Sequence, residues 1–451
     1  MRLFIKKHIK ALQTSPSFGL QFFLLGRFAG MFLVSILLAK SSLFLQNPLS
    51  VAEIGKYEMV LFLSGLISFF WVNALIKSTL SFVNTNQPSF ENQISQIFLL
   101  FIFLSLLSSI LFFSAHYCFG FYAETNSLVI WASMFYTLFW TPSLIFEYYH
   151  LLQKRRKILV LSGIFTPITL IICVGTGLYL SQNISGAIWG TVVYGFFRLL
   201  ISSFSFLTTF PKIDFLWMKQ FLLFSIPLVL SSIIAESGPF IDGIIISYLF
   251  DEKSFALYRY GARELPFNSI LATGLSNAFL PLFAQTERPT AETLNQLNKS
   301  TEKLLLTLVP CSTILIIFSQ FLFTHLFDPQ FASAARIFDV YLLLVLPRLL
   351  FPQTIIMGFK QNRLLVPVAV LEVISNIILS LWWAYLWGIV GIALATLVSF
   401  IVEKITLIYL TRKHLSIKPF DYIPAKTFII LSSIIFVVFF IKYTFFLSFV
   451  E

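Results

Sequence analysis

The sequence predicts an all-α polytopic membrane protein, and three observations support this fold class. Of its 451 residues, 58% are hydrophobic and only 11% are charged, with a mean hydropathy of +0.87. Apolar runs long enough to cross the roughly 30 Å hydrocarbon core of a bilayer recur along the chain. Basic residues gather in the short segments between these runs. A soluble protein could not cover so much apolar surface with so little charge.

About thirteen apolar stretches are long enough to be membrane-spanning helices. They lie near 17–39, 58–80, 94–114, 127–148, 158–180, 185–208, 219–249, 256–283, 303–326, 334–358, 364–386, 388–411 and 426–447. The first stretch is too long for a signal-peptide core and lacks a small-residue cleavage site, so we expect an uncleaved span. The residues before it, 1–16, are basic and are predicted to lie on the cytoplasmic membrane surface.

Basic residues concentrate in alternate loops, and this asymmetry predicts the orientation of the chain. Lys154–Lys157 and Lys360–Arg363 lie in predicted inner loops, whereas the outer loops hold few lysines. The positive-inside rule therefore places the N-terminus in the cytoplasm, and an odd number of spans places the C-terminus outside. The same distribution accounts for the net charge of +11 without a nucleic-acid partner.

Three short segments recur in the two halves of the chain, about 200 residues apart. In each pair the segments occupy the same place relative to their spans. The pairs are Pro142–Phe146 with Pro347–Phe351, Gly186–Val193 with Gly391–Val398, and Glu53–Tyr57 with Ser254–Tyr258. The repetition predicts that the halves are two copies of one helical lobe.

The repeat also sets the predicted domain boundaries. We expect an N-terminal six-helix lobe at 1–211, a C-terminal six-helix lobe at 212–416 and an additional transmembrane segment at 417–451. Because six spans is an even number, both lobes share one orientation. Such lobes are related by a pseudo-two-fold axis along the membrane normal, with a substrate cavity between them near the midplane.

Arginines inside the predicted spans are the candidate substrate ligands: Arg27, Arg198, Arg259, Arg263 and Arg348. Arg27 lies about ten residues into its span, roughly 15 Å, which is deep for a side chain that snorkels. Arg348 lies near the middle of its span, between two prolines. A buried guanidinium is costly, and its planar fork suits paired hydrogen bonds to phosphate. The set therefore predicts a cationic cavity for an anionic substrate.

Structural and interfacial roles are the alternatives for several of these residues. The Gly26–Gly30 spacing around Arg27 is interpreted as helix packing. The alternative for Arg198 is snorkelling to the membrane surface. Arg259 and Arg263 are four residues apart, which predicts one shared helix face. Their alternative is binding to outer headgroups or pairing with the neighbouring Glu264.

Acidic residues inside the spans are the candidates for ion coupling: Glu236, Asp242 and Glu372. A transporter driven by protons or sodium needs carboxylates whose ionisation responds to burial. Glu236 is the preferred candidate. It shares the long apolar run Phe221–Phe250 with Asp242, and Gly238 and Pro239 allow that run to bend. The alternative is that both acids pair with a neighbouring helix or lie near the outer membrane interface.

The remaining polar residues of the spans indicate no chemistry. Glu403 and Lys404 are adjacent, so we expect them to point to different faces and not to pair. Lys77 and Lys404 lie near inner span ends, where a lysine can extend to the interface. The three cysteines and five histidines are scattered without metal or redox spacing. We therefore predict neither a metal site nor a cofactor.

Beyond these patterns, the chain resembles a known family. The segments Leu49–Tyr57, Tyr258–Pro266 and Gly391–Val398 resemble parts of the polysaccharide-export flippases, which belong to the multidrug/oligosaccharidyl-lipid/polysaccharide exporter superfamily. The resemblance covers nearly the whole chain. It implies a two-lobed helical bundle in the bacterial inner membrane that works by alternating access and is not an enzyme.

The resemblance also implies the cargo, a polyprenyl-pyrophosphate-linked oligosaccharide of the O-antigen, lipopolysaccharide or capsule type. The cargo would move from the cytoplasmic to the periplasmic leaflet, with membrane lipids, a polysaccharide polymerase and a chain-length regulator as partners. Two alternatives stay open. A multidrug or cation antiporter of the same fold would favour acids and aromatics over arginines in its cavity. A polysaccharide polymerase or ligase would need a longer outer loop than any in this sequence.

Overall fold

The computed structural model describes residues 16–83, 89–122, 125–206, 212–263, 266–284 and 290–447. Nearly all of these residues are helical, and the described ranges contain no β-strand. Within them, ten helices are long and apolar enough to cross a membrane, or eleven if one bent pair counts as a span. The predicted fold class, an all-α polytopic membrane protein, is confirmed. Residues 1–15 of the predicted basic surface segment lie outside the described residues, as does Glu264.

The chain divides into two compact units, Met1–Phe240 (unit 1) and Ile241–Glu451 (unit 2). In unit 1, α1 packs along α6, α6 along α7, and α7 against α4, while α2 packs against α4 and α8. The helices of unit 1 are α1 (Pro16–Ala39), α2 (Val51–Phe82), α3 (Phe90–Phe119), α4 (Ser127–Ser143), α5 (Ile145–Leu152), α6 (Arg156–Ser181), α7 (Ile184–Phe206) and α8 (Phe215–Glu236).

Helix α9 (Gly238–Leu249) contains the boundary, and the rest of unit 2 follows it. The helices after it are α10 (Glu252–Gly261), α11 (Pro266–Ala284), α12 (Ala291–Leu326), α13 (Ala334–Leu343), α14 (Val345–Arg348), α15 (Pro352–Gly358), α16 (Leu365–Leu415), α17 (Pro419–Tyr422) and α18 (Ala425–Leu447). The short helix α13 packs against α10, α12 and α16, and the last helix, α18, packs against α12.

Each predicted span falls on helix. The stretch at 127–148 is interrupted at Leu144, between α4 and α5, and three other stretches are broken. The stretch predicted at 219–249 is divided between α8 and α9, the stretch at 256–283 between α10 and α11, and the stretch at 334–358 among α13, α14 and α15. A proline stands at or near the start of a new helix in each case: Pro239, Pro266 and Pro352. Proline has no N–H to donate but fits the first turn of a helix, so it starts a helix more readily than it continues one.

Helix α16 reverses at Gly388, whose φ of +61° and ψ of −145° are accessible to glycine alone. The two halves of α16 then face each other. Asn376 Nδ2 donates a hydrogen bond to Thr396 Oγ1 at 3.2 Å, and a Cβ atom added at Gly391 would collide with the backbone of Trp383. This one continuous element therefore contains the two predicted spans at 364–386 and 388–411.

Close backbone contact holds α1 against α6. A Cβ atom added at Gly26 would collide with the carbonyl oxygen of Gly163, and one added at Gly30 would collide with Pro167. Small residues at such positions let two helices approach closely. The packing role predicted for the Gly26–Gly30 spacing is confirmed, and the contact fixes the part of α1 that carries Arg27.

Matched capping interactions start α2 and α10, the helices that contain one pair of repeated segments. Ser50 Oγ accepts a hydrogen bond from the Glu53 N–H at 3.2 Å, and the Glu53 carboxylate accepts one from the Ser50 N–H at 2.8 Å. This reciprocal arrangement is a capping box. At the start of α10, Asp251 Oδ1 accepts a hydrogen bond from the Ser254 N–H at 2.8 Å.

Candidate functional site

Arg27 is a partly exposed cation on α1 of unit 1. Its guanidinium carbon lies 4.8 Å from the ring centroid of Trp140 on α4. Among the described residues, it forms no hydrogen bond and no ion pair. The aromatic ring therefore holds the side chain in place, while its N–H donors and its positive charge stay available to an anion.

Arg198 on α7 is 7% exposed and has a different environment. Its Nη2 lies 2.8 Å from both carboxylate oxygens of Glu147, which is 1% exposed on α5. Nε donates to Ser143 Oγ and Nη1 to Thr166 Oγ1, both at 3.2 Å. Snorkelling, the alternative weighed for this residue, does not occur. Its donors are used inside the protein, so Arg198 acts as the counter-ion of a buried acid.

Glu236, the preferred coupling candidate, ends α8 and contacts α2. Its carboxylate accepts hydrogen bonds from Asn73 Nδ2 at 2.5 Å and from Lys77 Nζ at 3.2 Å. The Lys77 side chain is thus part of an ion pair rather than a snorkelling cation, although 55% of it is exposed. The pairing matches the alternative weighed for Glu236, a contact with a neighbouring helix.

Asp242 on α9 lies in a buried polar cluster of unit 2, where it is 1% exposed. Its Oδ2 accepts hydrogen bonds from Tyr258 OH at 2.9 Å and from Thr396 Oγ1 at 2.7 Å. Tyr258 OH also contacts Tyr341 OH at 2.8 Å, and Asn376 donates to Thr396. Every one of these partners is neutral. Asp242 Oδ1 is buried and has no hydrogen-bond partner among the described residues.

The other arginines predicted as ligands occur together in unit 2, but not on one helix face. Arg259 lies on α10, which ends at Gly261, so Arg263 falls beyond that helix and the predicted shared face is wrong. The Arg263 guanidinium carbon lies 4.6 Å from the ring centroid of Tyr260. A small cavity in unit 2 is lined by Arg263 and Arg348 together with Asn268 and Tyr341. Two of the predicted cations therefore converge on one space.

Glu372 on α16 lies in a mixed-charge cluster of unit 2. It is close enough to Glu403, Lys404 and Arg348 to interact with them electrostatically. Lys404 Nζ lies 3.0 Å from Glu403 Oε2, and both residues are buried. The expectation that these adjacent residues do not pair is wrong, because burial favours a local ion pair over two separate charges. The snorkelling interpretation of Lys404 is wrong for the same reason.

Three buried acids were missed by the sequence analysis: Glu58, Glu147 and Asp339. Glu147 lies one residue before the predicted end of its span, where an acid is easily taken for an interfacial residue. Asp339 on α13 accepts hydrogen bonds from Lys442 Nζ at 2.6 Å and from Tyr443 OH at 3.1 Å. The position of Asp339 inside the predicted span 334–358 was a signal that could have identified it.

Within the described residues, no group of three His, Cys, Asp or Glu side chains is placed to hold a metal ion. The arrangement instead offers cations for an anionic ligand in both units and a buried carboxylate without a cationic partner in unit 2. Charged side chains inside membrane spans are candidate sites for ions and charged ligands.

Comparison with known proteins gives related results by sequence and by structure. The family model of the lipid II flippase MurJ matches residues 59–451. Among solved structures, the fold is similar to the lipid II flippase MurJ in an inward closed conformation, with a TM-score of 0.69 and 17% identity over 94% of this chain and 92% of that chain. No curated protein sequence matches the chain.

Multidrug transporters share the fold, with lower TM-scores. A MATE transporter of Vibrio cholerae has a TM-score of 0.53 and 14% identity over 89% of this chain and 96% of that one. The MATE multidrug transporter DinF-BH has a TM-score of 0.55 and 12% identity over 88% and 95%. The resemblance to flippases of this superfamily is confirmed, whereas its narrower assignment to polysaccharide exporters is not supported. The family match over residues 59–451 shows that the chain belongs to the lipid II flippase MurJ family.

Proposed function

We propose that this membrane protein moves lipid II, a peptidoglycan precursor carried on polyprenyl pyrophosphate, from the cytoplasmic to the periplasmic leaflet. Membership in a flippase family makes the chain a transporter rather than an enzyme. The family match favours lipid II over the O-antigen or capsule cargo expected from the sequence. The proposed polymerase and chain-length regulator partners belong to that other cargo and are set aside with it. The proposed location is the bacterial inner membrane, with the N-terminus in the cytoplasm, as the loop charges favour.

The observation that carries the proposal is the state of Arg27. Within the described part of the chain it is a partly exposed guanidinium, inside a span, with no acidic partner at hydrogen-bond distance. A cation kept in this state inside a membrane is expensive unless a ligand compensates it. Pyrophosphate supplies acceptor oxygens in the geometry that a guanidinium fork binds best. We assign Arg27 to the pyrophosphate on this basis.

In unit 2, the pair formed by Arg263 and Arg348 supports a second cationic site. Both line one small cavity, and Asn268 and Tyr341 add polar side chains to it. Arg259, on the preceding helix, adds to the positive charge of the same unit. Arg198 is a less suitable phosphate ligand, because Glu147 already neutralises it at 2.8 Å. In the proposal, Arg198 has a structural role in unit 1.

Among the three acids considered for ion coupling, Asp242 fits best. Glu236 has a lysine partner, and Glu372 lies near Lys404 and Arg348. Asp242 is surrounded by neutral donors and keeps one buried oxygen without a partner among the described residues. A proton or a sodium ion would compensate this charge. Binding and release of that ion would bias the alternating-access equilibrium of the flippase.

The central test measures lipid II translocation by the full-length protein in vesicles, using a fluorescent lipid II and a membrane-impermeant quencher. Arg27→Ala should lower the initial rate by about ten-fold or more, since a charge-assisted hydrogen bond contributes about 1.5–3 kcal/mol. Arg263→Ala and Arg348→Ala should also slow translocation. Arg363→Ala, at an exposed residue outside the cluster, is the matched control and should leave the rate unchanged. An unaltered rate in Arg27→Ala would reject the site.

The cargo itself is tested by competition. Unlabelled lipid II should compete with fluorescent lipid II more strongly than an O-antigen-type lipid-linked oligosaccharide with the same polyprenyl pyrophosphate. Equal competition would mean that the protein reads the pyrophosphate and not the peptidoglycan head group. A cationic dye should not compete, because the sites described here carry positive charge. Strong competition by the dye would favour the antiporter alternative.

A further inference from the structure

We propose that Trp140 is a positioning residue for the substrate. Its indole ring holds Arg27 in place through a cation–π contact and leaves the charge of the guanidinium uncompensated for the pyrophosphate. This inference rests on the proposed role of Arg27. It adds a residue whose aromatic ring, rather than any polar group, sets the affinity for the anion.

The geometry places two guanidinium groups at one indole ring. The Arg27 carbon lies 4.8 Å from the ring centroid of Trp140, and the Arg198 carbon lies 4.7 Å from it. Both distances are within the range of about 6 Å over which a cation is attracted to an aromatic ring. Trp140 itself is 8% exposed, so solvent screens these contacts little.

Two tyrosine rings pack against Trp140 and restrict its movement. Its ring lies 5.8 Å from that of Tyr136 with an interplanar angle of 17°, and 5.7 Å from that of Tyr194 with an angle of 31°. Arg198 is anchored in turn by Glu147, Ser143 and Thr166. The contacts therefore run from Glu147 to Arg198, from Arg198 to Trp140, and from Trp140 to Arg27. Within this series, only Arg27 is partly exposed and free of hydrogen bonds among the described residues.

An aromatic ring can hold Arg27 in position without cancelling its charge, whereas an acid would cancel that charge. A carboxylate would occupy the N–H donors of the guanidinium and cancel its charge, as Glu147 does for Arg198. An indole ring carries no net charge and attracts the cation through its quadrupole. Arg27 is thus fixed in position, yet it keeps the charge and the fork of donors that a pyrophosphate needs. Pre-positioning of this kind lowers the entropy lost when the anion binds.

This arrangement also explains why unit 1 contains the Arg198–Glu147 pair. Buried ion pairs contribute little to stability compared with apolar residues of the same volume. An anchored guanidinium at the ring of Trp140 restricts the ring, and so restricts Arg27. In this view, the buried ion pair provides positional precision in the binding site.

The decisive experiment changes the quadrupole of one ring and leaves its shape nearly unchanged. Trp140 alone is replaced in the full-length protein by tryptophans carrying one to four fluorine atoms, and equilibrium binding of polyprenyl pyrophosphate is measured. Each fluorine weakens the negative face of the ring, so affinity should fall stepwise. The complete series should weaken binding by about three- to thirty-fold, the range expected for a cation–π contact.

The matched control is the same series at Trp189 on α7. That ring packs near Phe135 and contacts no cation among the described residues, so its fluorination should leave affinity unchanged. Thermal unfolding of each variant serves as the second measurement. A stepwise loss of affinity at Trp140 without a parallel loss of thermal stability supports the proposal. The proposal is overturned if fluorination of Trp140 leaves the affinity for polyprenyl pyrophosphate unchanged, or if fluorination of Trp189 lowers it equally.

Two conventional substitutions separate this inference from the proposed function. Trp140→Phe should keep more of the affinity than Trp140→Leu, because phenylalanine retains an aromatic face. If Arg27→Ala abolishes binding of polyprenyl pyrophosphate while Trp140→Leu binds it normally, Arg27 remains the ligand and the positioning role of Trp140 is rejected. If Arg27→Ala binds polyprenyl pyrophosphate normally, both the assignment of Arg27 and the role of Trp140 are rejected.

Discussion

The two units contain the same tyrosine–threonine pair, and in unit 2 both of its hydroxyl groups bind one carboxylate. In unit 1, Thr191 Oγ1 donates a hydrogen bond to Tyr57 OH at 3.0 Å. The repeated segments match these residues to Thr396 and Tyr258 in unit 2. There, both hydroxyl groups donate to Asp242 Oδ2, at 2.7 and 2.9 Å. The matched hydroxyl groups thus contact each other in unit 1, whereas in unit 2 they donate to a shared carboxylate.

The difference extends to how two buried acids, Glu147 in unit 1 and Asp242 in unit 2, are compensated. Glu147 in unit 1 faces the guanidinium of Arg198 at 2.8 Å, so its charge is balanced within the protein. Asp242 in unit 2 has neutral side chains as its hydrogen-bond donors, and one of its oxygens has no partner among the described residues. A balanced acid is suited to holding a structure, whereas an unbalanced one is suited to binding an ion. Four predictions test how matched residues of the two units differ.

The largest effect, on the free energy of unfolding, is expected from replacing Glu147 in unit 1. Glu147→Leu leaves Arg198 buried without its counter-ion, which should lower the free energy of unfolding by about 3–5 kcal/mol. The double variant Glu147→Leu with Arg198→Met removes both charges and should recover most of that loss. Unfolding of the purified protein in detergent measures both values. A loss below about 1 kcal/mol in the single variant would show that the pair is not electrostatically important.

Neutralising Asp242 in unit 2 should instead change how stability and lipid II translocation depend on the coupling ion. Asp242→Asn should retain the fold but lose the stabilisation by the coupling ion, which amounts to about 2.7 kcal/mol at a concentration one hundred times its Kd. Lipid II translocation should lose its response to an imposed sodium or proton gradient. Asp339→Asn is the control, because Lys442 at 2.6 Å already balances that acid. Equal loss of gradient response in both variants would contradict the contrast between balanced and unbalanced acids.

The matched threonines should respond unequally to the same substitution. Thr191→Val removes a hydrogen bond between neutral groups and should cost about 1 kcal/mol of unfolding free energy. Thr396→Val removes a hydrogen bond to a carboxylate, which contributes about 1.5–3 kcal/mol, and should also weaken ion binding. Ion titration followed by thermal unfolding measures both effects. Weaker ion binding in Thr191→Val would place a coupling site in unit 1 as well.

The smallest effect concerns the matched helix caps, Ser50 in unit 1 and Asp251 in unit 2. Hydrogen bonds from the side chain and backbone of Ser254 hold the pKa of Asp251 below its ordinary value of 3.8. A lowered pKa in the folded state adds stability that is present above the ordinary pKa and is lost as the pH falls through the folded value. Asp251→Ala should therefore cost about 1 kcal/mol at neutral pH and progressively less below about pH 4.

Asp251→Ser is the control for this last prediction, because it copies the cap of unit 1. Serine can accept the same N–H but carries no charge, so the variant should keep most of the stability at neutral pH. Its stability should also lack the contribution of Asp251 to the pH dependence. Unfolding from pH 3 to 7 measures the comparison. An unchanged pH profile in Asp251→Ser would show that the cap charge is irrelevant.

Much of the fold was predictable from local sequence. Long apolar runs and the loop lysines indicated the spans, and helix occurs in every predicted stretch. The breaks at Pro266 and Pro352 were harder to predict, because a proline inside an apolar run fits either a kink or a new helix. As a result, Arg259 and Arg263 were placed on one helix face, whereas α10 ends between them.

The candidate site was predictable only as a set of residue types. Arg27, Asp242 and Arg348 were identified because a charge inside a span is costly wherever it lies. The partner of each charge was not predictable. Glu147 lies 51 positions from Arg198 in the chain, and no spacing rule connects them. Trp140 was one aromatic residue among many, and only its distance from Arg27 distinguishes it.

The sequence by itself determined that this chain spans a membrane as helices and that charges within the spans require compensation. These properties follow from hydrophobicity and periodicity, which are local along the chain. Tertiary structure alone decided which charges are compensated. Arg198 has its carboxylate and Arg27 has an aromatic ring, while Asp242 has only neutral donors. Compensation depends on distances of a few ångströms between helices, and packing sets those distances.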